Sequence, residues 1–317
     1  MIKSLVAGLL VAGLAGSALC LEAQDSKPLY VRQIQAHPAP KLDDVAGREY
    51  KFLIDPAKTK ASPAAAFKDI WTKLQAAAAK QGFTVTEKDK NPLKVEMTTK
   101  EYLDTADQAL WKKGYLIRIT TKYKAGMAED KGKVTVKAIF ENLDKTLAAP
   151  LTVVGIKGES ECQDNVGMAA GGTLKGYVEK GASFTITLSD LGKMTLGDFG
   201  KYMPELLALG LPSDTRLVSN KAYSYRARPG FIVLPGTEPC GVSMEGWTTK
   251  EDGPIFLYDF SYGYEDLTLY ENPETHQEGE RFMTKVLFSE LGGLALPDDG
   301  KWGGSKVRVF MNRPITK

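Results

Sequence analysis

Two histidines, His37 and His276, and three cysteines are all that 317 residues offer for imidazole or thiol chemistry. Neither histidine sits in a recognisable catalytic setting, so a histidine-based triad, or a cysteine nucleophile with an imidazole base, is set aside. His276, beside the start of a helix, is expected at the surface. An excess of charge of one sign is also missing, since 41 basic residues against 39 acidic ones leave a net charge of +2. No global field therefore gathers nucleic acid or anionic membrane, and any affinity for a polyanion must be local. Low-complexity tracts are missing too. With 43% hydrophobic and 25% charged residues the composition is globular, and the length admits one large domain or two smaller ones.

Long apolar runs are confined to the start of the chain. Lys3, an apolar stretch from Leu5 to Leu14 and the small residues Ala15 to Ala18 make Met1–Ala23 read as a secretory signal, cut after Cys20 or Ala23. The run is short and glycine-rich against the roughly 20 apolar residues of a membrane anchor. The expectation is an exported protein, periplasmic or secreted, with no integral membrane span after cleavage. Gln24–Leu42, with Pro28, Pro38 and Pro40, reads as an extended leader, and residues 43–317 as the working domain. Cleavage leaves Cys162 and Cys240 in an oxidising compartment, where a disulfide between them is permitted.

What the chain has in quantity is charge at every second position. Arg118, Thr120, Lys122 and Lys124 alternate with Ile117, Ile119 and Tyr123, and Lys133, Thr135 and Lys137 alternate with Val134, Val136 and Ala138. Segment 47–54 sets Glu49 and Lys51 on one face; 93–99 sets Lys94, Glu96 and Thr98; 158–164 sets Glu159, Glu161 and Gln163. Segment 220–227 sets Lys221, Tyr223 and Tyr225; 257–263 sets Asp259 and Ser261; 305–311 sets Lys306 and Arg308. A half-exposed sheet with its charges in water produces the same alternation. Eight such strands also suit a closed barrel, whose interior is about wide enough for side chains or one small ligand. The expected fold is α+β: an eight-stranded, mainly antiparallel closed β-barrel with helices packed on its outside. Cys162, of opposite parity to Glu159 and Glu161, then points outward.

Three helices are expected against the outer wall. Ser62 and Pro63 open the first, which carries Phe67, Ile70, Trp71 and Leu74 on one face and closes at Gly82. A second runs from Leu196 to Leu209 behind Thr195, kinked or broken by Pro204. The third follows Asn272 and ends at Leu291. The stretches 141–156 and 164–182 read as long connections, the second as a glycine-rich surface loop beside a barrel mouth.

The most specific segment is Glu101–Ile119, EYLDTADQALWKKGYLIRI. Tyr102, Asp104, Thr105 and Asp107, then Leu110, Gly114 and Arg118, combine with Glu49 and Lys51, with Thr135–Lys137, and with Lys157, Glu159 and Glu161. Lys221 with Tyr223 and Asp259 with Ser261 complete the set. In this order they resemble the CYTH superfamily of triphosphate tunnel metalloenzymes. The resemblance implies a charged tunnel in which Mg²⁺ or Mn²⁺ is held by Glu49, Glu159, Glu161 and Asp259, with Glu159 and Glu161 catalytic. It assigns Lys51, Arg118, Lys137, Lys221 and Arg308 to phosphates, with Lys94 and Lys122 behind them. Asp104 and Asp107 fit better as caps that shape their turn.

Gly47, Thr120, Lys157, Tyr223 and Ser261 depart from the family pattern and thin the site. The implied activity is metal-dependent hydrolysis of tripolyphosphate, polyphosphate or another triphosphate. Export disfavours the adenylate cyclase and thiamine triphosphatase activities of the family. The alternatives are a non-catalytic polyanion-binding protein with a degenerate tunnel, and a structural protein whose bore is a salt-bridged polar core.

Overall fold

A strand with apolar residues on one face and charges on the other leaves a sheet two solutions: to lie on water, or to close on itself with its apolar face under helices. The computed structural model, which describes residues 32–33, 45–140, 143–168, 172–234, 238–264, 273–297 and 304–312, takes the second. The wall is built from β2 (Val45–Ile54), β4 (Glu96–Asp104), β5 (Tyr115–Lys124), β6 (Met127–Ala138), β7 (Gly158–Met168), β8 (Leu174–Thr187), β9 (Val218–Ala227), β11 (Cys240–Thr248) and β12 (Leu257–Tyr264). Its order is β2–β7–β8–β6–β5–β4–β9–β11–β12, and β12 pairs back onto β2, so nine strands close the barrel. Only β2 and β7 run parallel within it. Short β1 (Arg32–Gln33) adds to β8, while β10 (Gly230–Val233) and β3 (Thr84–Glu87) form a ribbon running off β11.

The count is nine rather than eight because two strands join the expected set and one leaves it. Much of the glycine-rich stretch read as a loop is the end of β7 and the larger part of β8; Gly181 lines the bore, with Lys137 Cγ 3.9 Å from where a Cβ would stand. The segment 240–248 is the other addition. Segment 305–311, expected as a strand, is mostly the helix α7 (Lys306–Met311), capped by Ser305 Oγ accepting from Arg308 N at 3.4 Å. Val309, Phe310 and Met311 are buried in succession, which a two-faced strand cannot do on one face but a short packed helix can.

Helices cover the apolar exterior as the patterning requires. α1 (Pro63–Lys80) is capped by Ser62 and lays Phe67, Ile70, Trp71 and Leu74 on the wall, with Phe67 edge-on to Tyr258. α2 (Ala109–Lys112) and α3 (Leu143–Ala148) are short connectors, the latter within the link expected as loop. The expected second helix breaks at Pro204: α4 (Leu196–Gly200) is followed by a separate tight turn, Pro204–Leu209. Together they cover Ile117, Ile119, Val134, Val136 and Phe184. The third helix starts as α5 (Pro273–Arg281), widens over Phe282–Phe288 and ends as α6 (Ser289–Leu291), with Phe282, Val286 and Leu287 buried. His276 is 2% exposed, not superficial; its Nδ1 lies 2.6 Å from Tyr264 Oη.

The signal expected at Met1–Ala23, His37 and all of 24–42 except Arg32–Gln33 lie outside the described residues. Among the described residues no helix is long and apolar enough to cross a membrane. Cys162 points outward as parity requires, but it is not joined to Cys240. Cys162 sits on β7 beside Val45, whereas Cys240 sits on β11 beside Ile232, with β2 and β12 between. Three strand spacings amount to about 14 Å, twice the reach of a disulfide between Cα atoms.

One ion pair is buried in the outer wall. Arg48 and Asp164 are register partners across the parallel β2–β7 pair, and Arg48 donates from Nε and Nη2 to Asp164 Oδ2 at 3.0 and 2.7 Å. Glu280 of α5 stands 3.4 Å from Nη1, so this cluster ties helix to barrel. Arg48→Met should destabilise the protein by about 3–5 kcal/mol in urea unfolding, because Asp164 is left charged and buried without its guanidinium. The double variant Arg48→Met/Asp164→Leu should recover much of that loss.

Candidate functional site

Parity identifies what faces the bore. Lys51 with Leu53, Lys100 with Tyr102, Arg118 with Leu116, Glu245 with Trp247 and Asp259 with Leu257 are each two residues apart, so each pair shares the inner face. The apolar member of every pair belongs to one cluster with Val309, Phe310 and Met311 of α7. Phe310 lies 5.2 Å from the Tyr102 ring and 5.8 Å from that of Trp247. The barrel is thus stoppered at one end. Above the stopper lies a charged cavity of about 1180 Å³.

Depth follows from the strands themselves. Along β5 the inner positions pass from buried Leu116, through half-buried Arg118 and Thr120, to exposed Lys122. Along β7 they pass from buried Asn165 to exposed Glu161 and Glu159. The floor is therefore near Leu116 and Asn165, and the mouth near Lys122 and Glu159.

Charges on the floor are paired. Glu245, 3% exposed, accepts from Lys100 at 2.9 and 2.8 Å, from Trp247 Nε1 at 3.0 Å, and faces Lys306 at 3.0 Å and Arg226 at 3.5 Å. Lys306 also donates to Asp259 Oδ2, leaving Asp259 Oδ1 buried with no hydrogen-bond partner. Lys51 bonds Asn165 Oδ1 at 2.6 Å and faces Glu49 at 3.0 Å, and Lys137 bonds Glu179. Burial works against the Glu49 carboxylate, yet Lys51 and Lys306 outweigh it and hold its pKa at about 2. Burial also opposes ionised Glu245, but Lys100, Lys306 and Arg226 keep it well below the usual range. For Asp259 burial wins: with Glu245 and Glu49 adding to it, the carboxyl is pushed up despite Lys306. Burial, with Lys306 and Arg118 repelling, draws Lys100 down to about 7 against the pull of Glu245.

Lys51, Arg118 and Lys137 therefore stand inside, as do Glu49 and Asp259. Glu159 and Glu161 face the bore at its open end, Glu159 77% exposed and 3.7 Å from Lys133. Two assignments are overturned. Lys221 lies on the outer face of β9, pairing with Glu101 at 2.8 Å, while Ala222, Ser224 and Arg226 take the inner face. The register of β9 is thus opposite to the one expected for Lys221, Tyr223 and Tyr225. Arg308 is buried on α7 in a side cleft with Trp111 and Glu179, because helical spacing turns it away from Lys306. Lys94 lies outside the strand, exposed and 3.6 Å from Glu96.

Asp104 and Asp107 shape their turn as expected. Asp104 accepts from the backbone of Thr105, Leu110 and Trp111 at 2.7, 2.8 and 2.9 Å, and Asp107 accepts from Thr105 Oγ1 at 2.6 Å. Gly114, at φ 83° with Ile139 O and the Phe140 ring against it, leads this turn into β5. Glu179 and Glu245 lay on strands that were not recognised; Lys100 was legible, since it shares parity with Thr98 in an apolar-flanked run.

The four carboxylates implied as metal ligands do not converge. Among the described residues no three carboxylates, histidines or cysteines are placed to share an ion. Glu49 and Asp259 are each committed to a lysine, and Glu159 and Glu161 lie at the mouth. Mg²⁺ or Mn²⁺ does not fit this arrangement of donors.

No protein-family model matches the chain, and no curated protein matches it in sequence. Among solved structures it is similar to HpAC1 from Hippeastrum, described as a candidate adenylyl cyclase with a dominant triphosphatase activity. The identity is 13%, over 83% of this chain and 94% of that one, with a TM-score of 0.41. A candidate adenylate cyclase from Bacillus halodurans aligns at 12% identity over 81% and 97% of the two chains, TM-score 0.37. PH1819 from Pyrococcus horikoshii aligns at 11% over 75% and 89%, TM-score 0.31. At superpositions this loose, fold and chemistry are read from this chain's own strands and side chains.

Lys100 gives the bore a measurable pH dependence. Its pKa is about 7 in the folded protein against 10.5 for an ordinary lysine, so the unfolded chain binds more protons between those values. Its burial cost is fully present below pH 7 and is relieved as pH rises toward 10.5, by at most about 1.4 kcal/mol per pH unit. Lys100→Met should flatten the rise of stability between pH 7 and 9 in urea titrations.

Proposed function

We propose that the protein binds an inorganic phosphate polyanion, tripolyphosphate or the end of a polyphosphate chain, in the bore of its barrel. The observation that carries this reading is Arg118, a half-buried guanidinium facing the cavity with its Nε buried and without a hydrogen-bond partner. It makes no ion pair with a carboxylate among the described residues. Leaving out Arg48 of the outer wall and adding Asp259, eleven cationic side chains face eight carboxylates, so internal pairing leaves a positive surplus toward the mouth. A guanidinium backed by lysines on separate strands suits an anion with several charged centres, because each phosphate can take a charge-assisted hydrogen bond from a different wall. A stoppered bore takes a slender chain end, not a duplex. Export from the cytoplasm, as the Met1–Ala23 leader implies, fits an inorganic ligand better than a nucleotide.

Hydrolysis of the bound anion is the second reading, favoured by the water-exposed carboxylates of Glu159 and Glu161 on the same inner face as the cations. In that role they would orient water against a phosphate held deeper in the bore. Phosphate release that falls at least tenfold in Glu159→Gln or Glu161→Gln would establish it; release unchanged in both would dismiss those residues.

Tripolyphosphate should raise the melting temperature of the purified protein, and more strongly than sulfate at equal ionic strength. Arg118→Ala should weaken binding roughly 10- to 100-fold, the range of a lost charged hydrogen bond. Absence of any shift with tripolyphosphate and polyphosphate would leave the bore as a salt-bridged polar core.

A further inference from the structure

Resting on the polyanion-binding reading, we propose that Lys306 is a built-in cation that stands in for a divalent metal at the floor of the bore, so that the anion is held without one. The residue comes from α7, outside the barrel wall, and reaches in beside the stopper. Its ammonium lies 3.0 Å from Glu245 Oε2 and bonds Asp259 Oδ2. No other cation is paired with Asp259 among the described residues; Glu245 keeps Lys100 and Arg226 besides. Without Lys306, Asp259 would face Glu245 and Glu49 as a buried carboxylate with neither oxygen satisfied, since Oδ1 already has no partner. Two hard oxygens in a buried anionic corner are what a small divalent cation seeks. A tethered ammonium meets the same demand permanently.

The position of Lys306 is fixed from both sides. Ser305 caps α7 immediately before it, and Phe310 anchors the helix among Tyr102, Trp247 and Phe256. The ammonium is therefore delivered by the element that stoppers the barrel. Placed below Arg118 and Lys137, it neutralises the floor acids that would otherwise repel an incoming phosphate.

The test uses tripolyphosphate and Mn²⁺ as probes. Calorimetry in EDTA should show the wild type binding tripolyphosphate, Lys306→Arg within about threefold of it, and Lys306→Met at least about tenfold weaker. Electron paramagnetic resonance should find Mn²⁺ left in solution by the wild type and taken up by Lys306→Met. Tripolyphosphate binding by the wild type only when Mg²⁺ is present, or wild-type affinity of Lys306→Met in EDTA, would overturn the role of Lys306. If the wild type binds no tripolyphosphate with or without Mg²⁺, the polyanion reading fails, and the Mn²⁺ measurement decides alone. Uptake confined to the variant then upholds the built-in cation; uptake by the wild type, or by neither, refutes it. Circular dichroism checks folding, Lys306→Gln replaces a variant that does not fold, and should neither fold, binding by the wild type in EDTA decides.

Discussion

A charge taken out of water must find a partner of opposite sign, and the floor of this barrel is arranged around that necessity. Removing a lysine or carboxylate from solvent costs several kcal/mol even after relaxation, and only close pairing with further hydrogen bonds offsets it. Glu245 meets Lys100, Lys306, Arg226 and the Trp247 indole; Lys51 meets Glu49 and Asn165; Lys137 meets Glu179. Glu49 with Lys51 and Glu245 with Trp247 share a strand, but the other partners come from different elements, so most of the neutralisation waits until those elements assemble.

The outside of the wall obeys the complementary rule. Every inward charge commits its neighbours on the strand to the other face, and many of them are large and apolar: Tyr50 and Phe52 beside Lys51, Ile117 and Ile119 beside Arg118, Tyr258 and Phe260 beside Asp259. The resulting apolar cylinder has to be covered, which α1, α5 and the turn after α4 do. A buried ion pair there, Arg48 with Asp164 and Glu280, sits where the parallel pair β2–β7 meets α5. Register at the only parallel junction is thereby marked by a pair that a one-residue slip would break.

Much of this was legible in the sequence because side-chain parity is a local property. Alternation sets Lys51, Arg118, Lys137, Glu49 and Asp259 on the charged face of their strands, which barrel closure turns inward, and capping chemistry gives the Ser62–Pro63 start of α1. Parity fails where both faces carry polar residues. In NKAYSYRA either Lys221, Tyr223 and Tyr225 or Ala222, Ser224 and Arg226 can face inward. The choice is made by the partner strands β4 and β11, which nothing local reveals. Segment 305–311 alternates like a strand for only a few residues, too few to separate it from a helical turn. Gly167, Gly171, Gly172 and Gly176 make this stretch resemble a loop, although a strand tolerates glycine where another part of the chain approaches closely. The disulfide was permitted by compartment and parity, but the circumferential separation of Cys162 and Cys240 depends on strand order, a global property.

The bore departs from the resemblance at bases and acids alike: Lys221 and Arg308 stand away from it, and its acids are committed to lysines. A tunnel that manages its ligand through metal keeps free carboxylates at the floor, whereas here each floor acid already has an ammonium. Among the described residues the lining cations without an acid partner are Arg118, Lys122 and Lys131, which lie higher on β5 and β6, and Lys88 and Arg228, which flank the β3–β10 ribbon. Affinity for an anion should therefore be concentrated between floor and mouth, because only there does positive charge remain uncompensated while water is partly excluded. Glu159 and Glu161 stand at the rim of that same zone. On the proposed polyanion reading, holding or also cleaving the ligand turns on how far a bound chain would extend toward the rim, and the floor pairs, by keeping the chain from descending further, would set that distance.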